Sequence, residues 1–146
     1  MAVDNLNRIL IVEDNENDLE LTIDALSEHN FANFIDVARD GEEALDYLYK
    51  RGKFSGRANG NPVVILLDLK LPKINGQEVL DEIKSSPDFK SIPVVILTSS
   101  KEESDLIASY QKGVNAYVVK PVDFHDFVDA VKNLGIFWAL INETPR

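Results

Sequence analysis

Four short, unbroken apolar runs set the limits on what this chain can fold into: Arg8-Ile-Leu-Ile-Val12, Val63 to Leu67, Ile92 to Leu97 and Ala116 to Val119. Each is too short for a core helix and carries no alternating polar face. Each therefore reads as a strand buried on both sides. A fifth segment, Asn33 to Ala38, alternates instead, with Asp36 between Ile35 and Val37, as a half-exposed edge strand would.

Helical patterns fill the gaps. Asn15 caps a helix whose Leu19, Ile23 and Leu26 fall on one side. Asp40-Gly-Glu-Glu43 resembles a capping box and opens a helix carrying Ala44, Leu45 and Leu48. Asn75-Gly-Gln-Glu78 starts a third, with Val79, Leu80 and Ile83. Ser100-Lys-Glu-Glu103 leads into Leu106, Ile107 and Tyr110. The last helix, from about Asp123, carries Phe124, Phe127, Val128, Val131 and Leu134.

Five strands alternating with five helices predict a parallel sheet covered on both faces, a doubly wound α/β sandwich. Right-handed crossovers favour the flavodoxin-like strand order 2-1-3-4-5. In such a sheet the ligand site lies beyond the carboxyl ends of the strands, where the first and third part company. A chain of 146 residues is expected to form one domain, with its core at about 7–135 and an apolar extension at 136–146.

The residues that end the strands then become the candidates. They are Glu13 and Asp14, Asp68, Thr98, and Lys120 after the fifth strand. Three carboxylates crowded together repel unless a counter-charge relieves them. Oxygen ligands suit Mg²⁺, with Mn²⁺ or Ca²⁺ as substitutes, rather than zinc. A magnesium ion that keeps several waters leaves a side open to a phosphoryl oxygen. Lys120 offers a charge to a second oxygen, and Thr98 a hydrogen bond to a third. Asp68, central in the crevice, is then the nucleophile for an aspartyl phosphate. Taken singly, each residue has a plainer explanation: a helix-capping acid, a strand-end hydroxyl, a surface lysine. Their shared edge carries the argument.

These residues resemble the receiver domains of two-component response regulators, over nearly the whole chain. The matching pattern is Glu13-Asp14 after the first strand, Leu66-Leu67-Asp68-Leu69-Lys70-Leu71-Pro72 with Gly76 after it, Thr98-Ser99, and Lys120-Pro121. The resemblance implies a signalling phosphoacceptor rather than an enzyme, fed by the phosphohistidine of a sensor histidine kinase. It implies direct metal ligation by Asp14, Asp68 and the backbone carbonyl of Lys70, with Glu13 acting largely through water. It also implies a switch pair, Thr98 and Tyr117, a cis Lys120–Pro121 bond, and tuning of hydrolysis by Lys70 and Ser100.

Within that family the chain is similar to the single-domain regulators paired with bacterial, especially cyanobacterial, phytochromes. Two features carry this narrower likeness: a basic connector from Lys50 through Arg57 to Pro62, and the apolar end Gly135 to Ile141. The connector reads as a solvated, mobile loop, with docking to an acidic kinase surface as the sharper alternative. Phe137, Trp138 and Ile141 exceed what one core face needs and are candidates for a homodimer interface. His29 and His125 are expected at the surface, which leaves the phosphohistidine on a partner.

Composition closes off other classes. A net charge of −10 removes the main electrostatic term for nucleic-acid binding, so no direct DNA contact is expected. The chain has no cysteine, and no apolar run reaches the roughly 20 residues that span a bilayer. Its first residues are polar and unlike a secretory signal, and few remain after the last helix for an output domain. A cytoplasmic location is the simplest reading. A haloacid-dehalogenase-like phosphatase would need a second acid two residues after the nucleophile, where Lys70 stands. A flavin module would need a hydroxyl- and glycine-rich loop where Glu13-Asp14-Asn15-Glu16 would repel phosphate. An unphosphorylated scaffold of the same fold is disfavoured by the intact residue set.

Overall fold

A computed structural model describes residues 8–28, 35–57, 60–71, 73–99 and 116–132. Its strands are β1 (Ile9–Val12), β2 (Ile35–Ala38), β3 (Val64–Asp68), β4 (Val94–Thr98) and β5 (Ala116–Val119). They form one parallel sheet in the order β2-β1-β3-β4-β5. The helices described are α1 (Glu16–Ser27), α2 (Gly41–Tyr49), α3 (Gly76–Ser85) and α4 (Phe124–Lys132), with a short 3-10 turn at Gly52–Phe54. The helix expected after Ser100, and the tail with Phe137, Trp138 and Ile141, lie outside the described residues.

Unbroken apolar strands are what a sheet covered twice requires, because successive side chains point to opposite faces. Leu10, Val12, Ile65, Leu67, Val94 and Ile96 meet α2 and α3 on one face. Ile9, Ile11, Val64, Leu66, Val95 and Leu97 meet α1 and α4 on the other. β2, at the edge, keeps Ile35, Asp36 and Val37 only partly buried, in line with its alternating sequence.

Local chemistry shifts some boundaries. β4 starts at Val94 rather than Ile92, because Pro93 has no N–H for the ladder and the Ile92 N–H turns back to the Phe89 carbonyl at 2.9 Å. β3 runs one residue further than the apolar run, so that Asp68 is itself its last residue. Asn75 and Glu78 form the full reciprocal capping box that their spacing suggests. The Asp40 motif is only half of one: Asp40 accepts from the Glu43 N–H, but the Glu43 carboxylate takes the Arg39 N–H at 3.0 Å instead.

The basic connector is largely exposed, as its composition suggests, but Arg57 is half-buried and tied to α2. Arg57 lays its guanidinium 3.9 Å from the centre of the Tyr47 ring and donates from two nitrogens to the Tyr47 carbonyl, at 3.1 and 2.7 Å. Arg51 pairs with Asp46 at 2.7 Å, and Lys53 with Glu43 at 3.3 Å. Arg57 fastens the segment to α2, while the Arg51 and Lys53 side chains stay more than half exposed.

Two helices approach the β3–α3 segment so closely that only glycine fits. A Cβ on Gly76 would stand 2.5 Å from the Asp68 carbonyl oxygen and from the Leu69 Cα. One on Gly41 would lie 1.9 Å from the Ile74 carbonyl oxygen. Both contacts pack α2 and α3 against the backbone that presents Asp68.

Candidate functional site

Register places the site. Val12 pairs with Leu67 across β1 and β3, so Glu13, the next residue, stands level with Asp68. Thr98 ends β4 beside Val119, and the Lys120 N–H donates to the Thr98 carbonyl at 2.7 Å. The strand order puts β1 and β3 side by side while their connections leave in opposite directions, which opens a crevice at this end. A small cavity of about 50 Å³ is lined there by Asp68, Leu69, Lys70, Leu97, Thr98, Ser99 and Lys120.

The polar groups in it are joined. The Lys120 ammonium donates to Glu13 Oε1 at 3.0 Å, to Asp18 Oδ2 at 3.0 Å and to Asp68 Oδ2 at 3.2 Å. Glu13 is fully buried, and its second oxygen accepts the Asn15 N–H at 3.2 Å. Asp68 is 5% exposed and turns Oδ1 to the Lys70 N–H at 3.1 Å. Thr98 is buried, while Asp14, Lys70 and Ser99 are exposed at the rim. The Lys120–Pro121 peptide bond is cis. Tyr117 is half-buried, packed on the side of the core formed with α2 and α3. Ser100 lies outside the described residues, as does His29, and His125 is exposed on α4.

Charge in the crevice is only partly balanced. Burial, then the hydrogen bond and negative charge of Asp68, push Glu13 from its ordinary 4.5 up to about 7, against the pull of Lys120. Burial alone would lower the Lys120 ammonium. Its bond to Asp18, the charge of Asp68 and the contact with Glu13 outweigh that, holding it above its usual range. Such a lysine stays charged at any physiological pH.

The donor chemistry fits a hard divalent cation. Among the described residues, Glu13, Asp14 and Asp68 each offer a carboxylate oxygen, all within 4.8 Å of one another. The raised Glu13 reflects its burial first and the neighbouring Asp68 second, with Lys120 only partly offsetting both. The sequence singled out this trio. It did not single out Asp18, which contacts Lys120 from the first turn of α1. A first-turn acid has a local reason to be there, so its pattern carries no further signal.

Comparison with known proteins agrees with this geometry. The response regulator receiver domain family matches residues 9–132. Response regulator Rcp1 of Synechocystis sp. is 42% identical over 130 residues, 89% of this chain and 87% of the relative. Its Mn(2+)-bound crystal structure superposes with a TM-score of 0.72. The bacteriophytochrome response regulator AtBRR is 58% identical, with a TM-score of 0.86 over 94% of this chain and 99% of its own. The phosphorylated cyanobacterial phytochrome response regulator RcpA is 41% identical, with a TM-score of 0.73 over 91% and 94% of the two chains. On a match that spans the whole sheet and every strand-end residue of the crevice, the chain belongs to the response regulator receiver domain family.

Proposed function

We propose that this protein is a response regulator of a two-component phosphorelay, which takes a phosphoryl group from a sensor histidine kinase onto Asp68. The observation that carries the reading is the joined set at one sheet edge: Asp68 beside the Lys120 ammonium at 3.2 Å, with Glu13 and Asp14 in reach of the same point. Asp68 Oδ attacks phosphorus, the bond from phosphorus to the donor histidine nitrogen breaks, and that nitrogen leaves with the electron pair. Lys120, always charged, faces the equatorial oxygens. The Thr98 hydroxyl and the Lys70 N–H stand beside them as hydrogen-bond donors.

Glu13, Asp14, Asp68 and the Lys70 carbonyl would hold a Mg²⁺ ion. When bound, it supplies the charge that neutralises the phosphoryl oxygens and relieves the repulsion seen at Glu13. The Mn(2+)-bound relative supports a divalent ion at such a site.

Phosphorylation would then pull on Thr98 and Lys120 and bias a two-state surface that includes Tyr117. Lys70 and Ser100 would tune hydrolysis. The donor we favour is a phytochrome kinase, supported by the phytochrome association in the names of AtBRR and RcpA. The reading includes a cytoplasmic protein without direct DNA binding, a receiver core at about 7–135, and a homodimer through the apolar extension with Phe137, Trp138 and Ile141. No helix among the described residues is long and apolar enough to cross a membrane. Light scattering that finds only monomers at high concentration, with and without phosphorylation, removes the dimer.

The core test is intact mass spectrometry after incubation with acetyl phosphate and Mg²⁺, beside Asp68→Asn and a metal-free control. A gain of about 80 Da, one phosphoryl group, should require both the metal and Asp68. An unchanged mass with acetyl phosphate and with a phosphorylated kinase would reduce the protein to a scaffold of the receiver fold.

A further inference from the structure

Among the described residues, Asp18 is the one contact of the Lys120 ammonium that no strand end supplies. It stands on the first turn of α1, and its Oδ2 lies 3.0 Å from the Lys120 Nζ, as close as Glu13 and closer than Asp68 at 3.2 Å. An ammonium has three N–H bonds. Three carboxylates therefore take up its donors in the unmodified protein.

A phosphoryl group on Asp68 brings negative charge that calls for a lysine N–H. The N–H that faces Asp68 is freed when that carboxylate is esterified, and the ammonium must shift outward to follow the new charge, which strains its bonds to Glu13 and Asp18. Glu13 has no exposed surface and its other oxygen is held by the Asn15 N–H, so water cannot take the lysine's place there. Asp68 becomes the acyl phosphate itself. The Asp18 side chain is 32% exposed, and water can replace the lysine there at little cost.

We propose that Asp18 is a positioning residue for the phosphoryl acceptor. It draws the Lys120 ammonium toward α1 in the unmodified protein and releases it to the phosphoryl group, and so sets how strongly the phosphorylated form is favoured. This rests on the receiver reading above. Asp18→Asn leaves the start of α1 intact, because the Asn15 cap bonds the Asp18 backbone N–H and not its carboxylate.

The test is a titration with beryllofluoride, a tetrahedral phosphoryl mimic, in saturating Mg²⁺. Four proteins are compared: wild type, Asp18→Asn, Lys120→Gln and the double variant. Asp18→Asn should bind the mimic roughly three- to tenfold more tightly than wild type, and Asp18→Glu should return to wild-type affinity. In the Lys120→Gln background the Asp18 change should do almost nothing, because its effect runs through the lysine. An equal gain in both backgrounds would assign the effect to plain charge repulsion and overturn the proposal. So would an unchanged or weakened Asp18→Asn. Wild-type protein that binds no mimic would instead bring down the receiver reading itself, a result separate from either.

Discussion

Oε1 of Glu13, a carboxylate without exposed surface, lies 3.0 Å from the Nζ of Lys120, brought together across 107 residues of sequence. The pair alone would keep Glu13 ionised. Burial and the nearby Asp68 overcome it and raise Glu13 to about 7. A folded value above the unfolded 4.5 fixes the sign. The stability tied to protonated Glu13 is complete below the unfolded value and is lost as pH climbs through about 7.

Metal-free protein should therefore lose stability from about pH 4.5 to about pH 7 and level off above that, with a slope of at most about 1.4 kcal/mol per pH unit from this group. A divalent cation binds the charged carboxylates and should cancel that loss. The rise in Tm on adding Mg²⁺ is expected to be larger at pH 8 than at pH 5.5, and Glu13→Gln should flatten the metal-free slope. Scanning fluorimetry across this range, with chelator and with Mg²⁺, reads both. A metal-induced shift that shrinks toward alkaline pH would contradict the argument.

Gly76 makes the position of Asp68 testable by packing alone. A methyl group there would meet the Asp68 carbonyl oxygen and Leu69 Cα at 2.5 Å, and both are backbone atoms without a rotamer to escape into. Gly76→Ala should cost about 1–3 kcal/mol and slow phosphorylation of Asp68, because the segment carrying the nucleophile must move. Gly56→Ala, whose Cβ meets nothing within 4 Å, is the control and should change neither. Denaturant titration and the acetyl phosphate assay on both variants settle it.

The contrast between Gly76 and Asp18 marks what the sequence made legible. Strand ends could be read because a run such as Ile9 to Val12 must be buried on both faces, and the residue after it must emerge at a known edge. That logic reached Glu13, Asp68, Thr98 and Lys120 without a structure. Asp18 was out of its reach: an acid in the first turn of a helix already has a local reason to be there, and its partner is 102 residues away. The Arg57 contact with Tyr47 is out of reach for the same kind of reason. A loop arginine among glycines looks solvated until the fold sets a tyrosine ring beneath it.

Tyr47 and Arg57 define a second, purely structural network. Tyr47 is fully buried and donates its hydroxyl to Asp36 at 2.5 Å, and Asp36 pairs with Arg8 at 2.6 Å. Burial first, then the Asp36 carboxylate, push the phenol well above its ordinary 10. Stability from this group is present below the unfolded value and falls as pH rises past it. Tyr47→Phe should lower stability at pH 7 by about 1–2 kcal/mol and soften the alkaline loss above pH ~10. Arg57→Ala should release the connector, so that chymotrypsin cuts at Phe54 faster than in wild type. Equal cutting rates would mean the connector is held by other contacts.

Asp14 separates metal binding from folding. It is exposed at the rim, in contrast to Glu13, whose oxygens answer both Lys120 and the Asn15 N–H. Yet one of its oxygens lies within 4.8 Å of those of Glu13 and Asp68. Asp14→Asn keeps the shape of the side chain and removes its charge. Without metal its stability should stay within about 0.5 kcal/mol of wild type, as for an ordinary surface change. Affinity for Mg²⁺ or Mn²⁺ should fall about tenfold or more, because a hard cation loses one of few charged oxygen ligands. Isothermal titration calorimetry beside a metal-free melt measures the two effects apart. If metal affinity survived the substitution, the cation would be held by Glu13, Asp68 and the Lys70 carbonyl, and Asp14 would be left as a rim carboxylate.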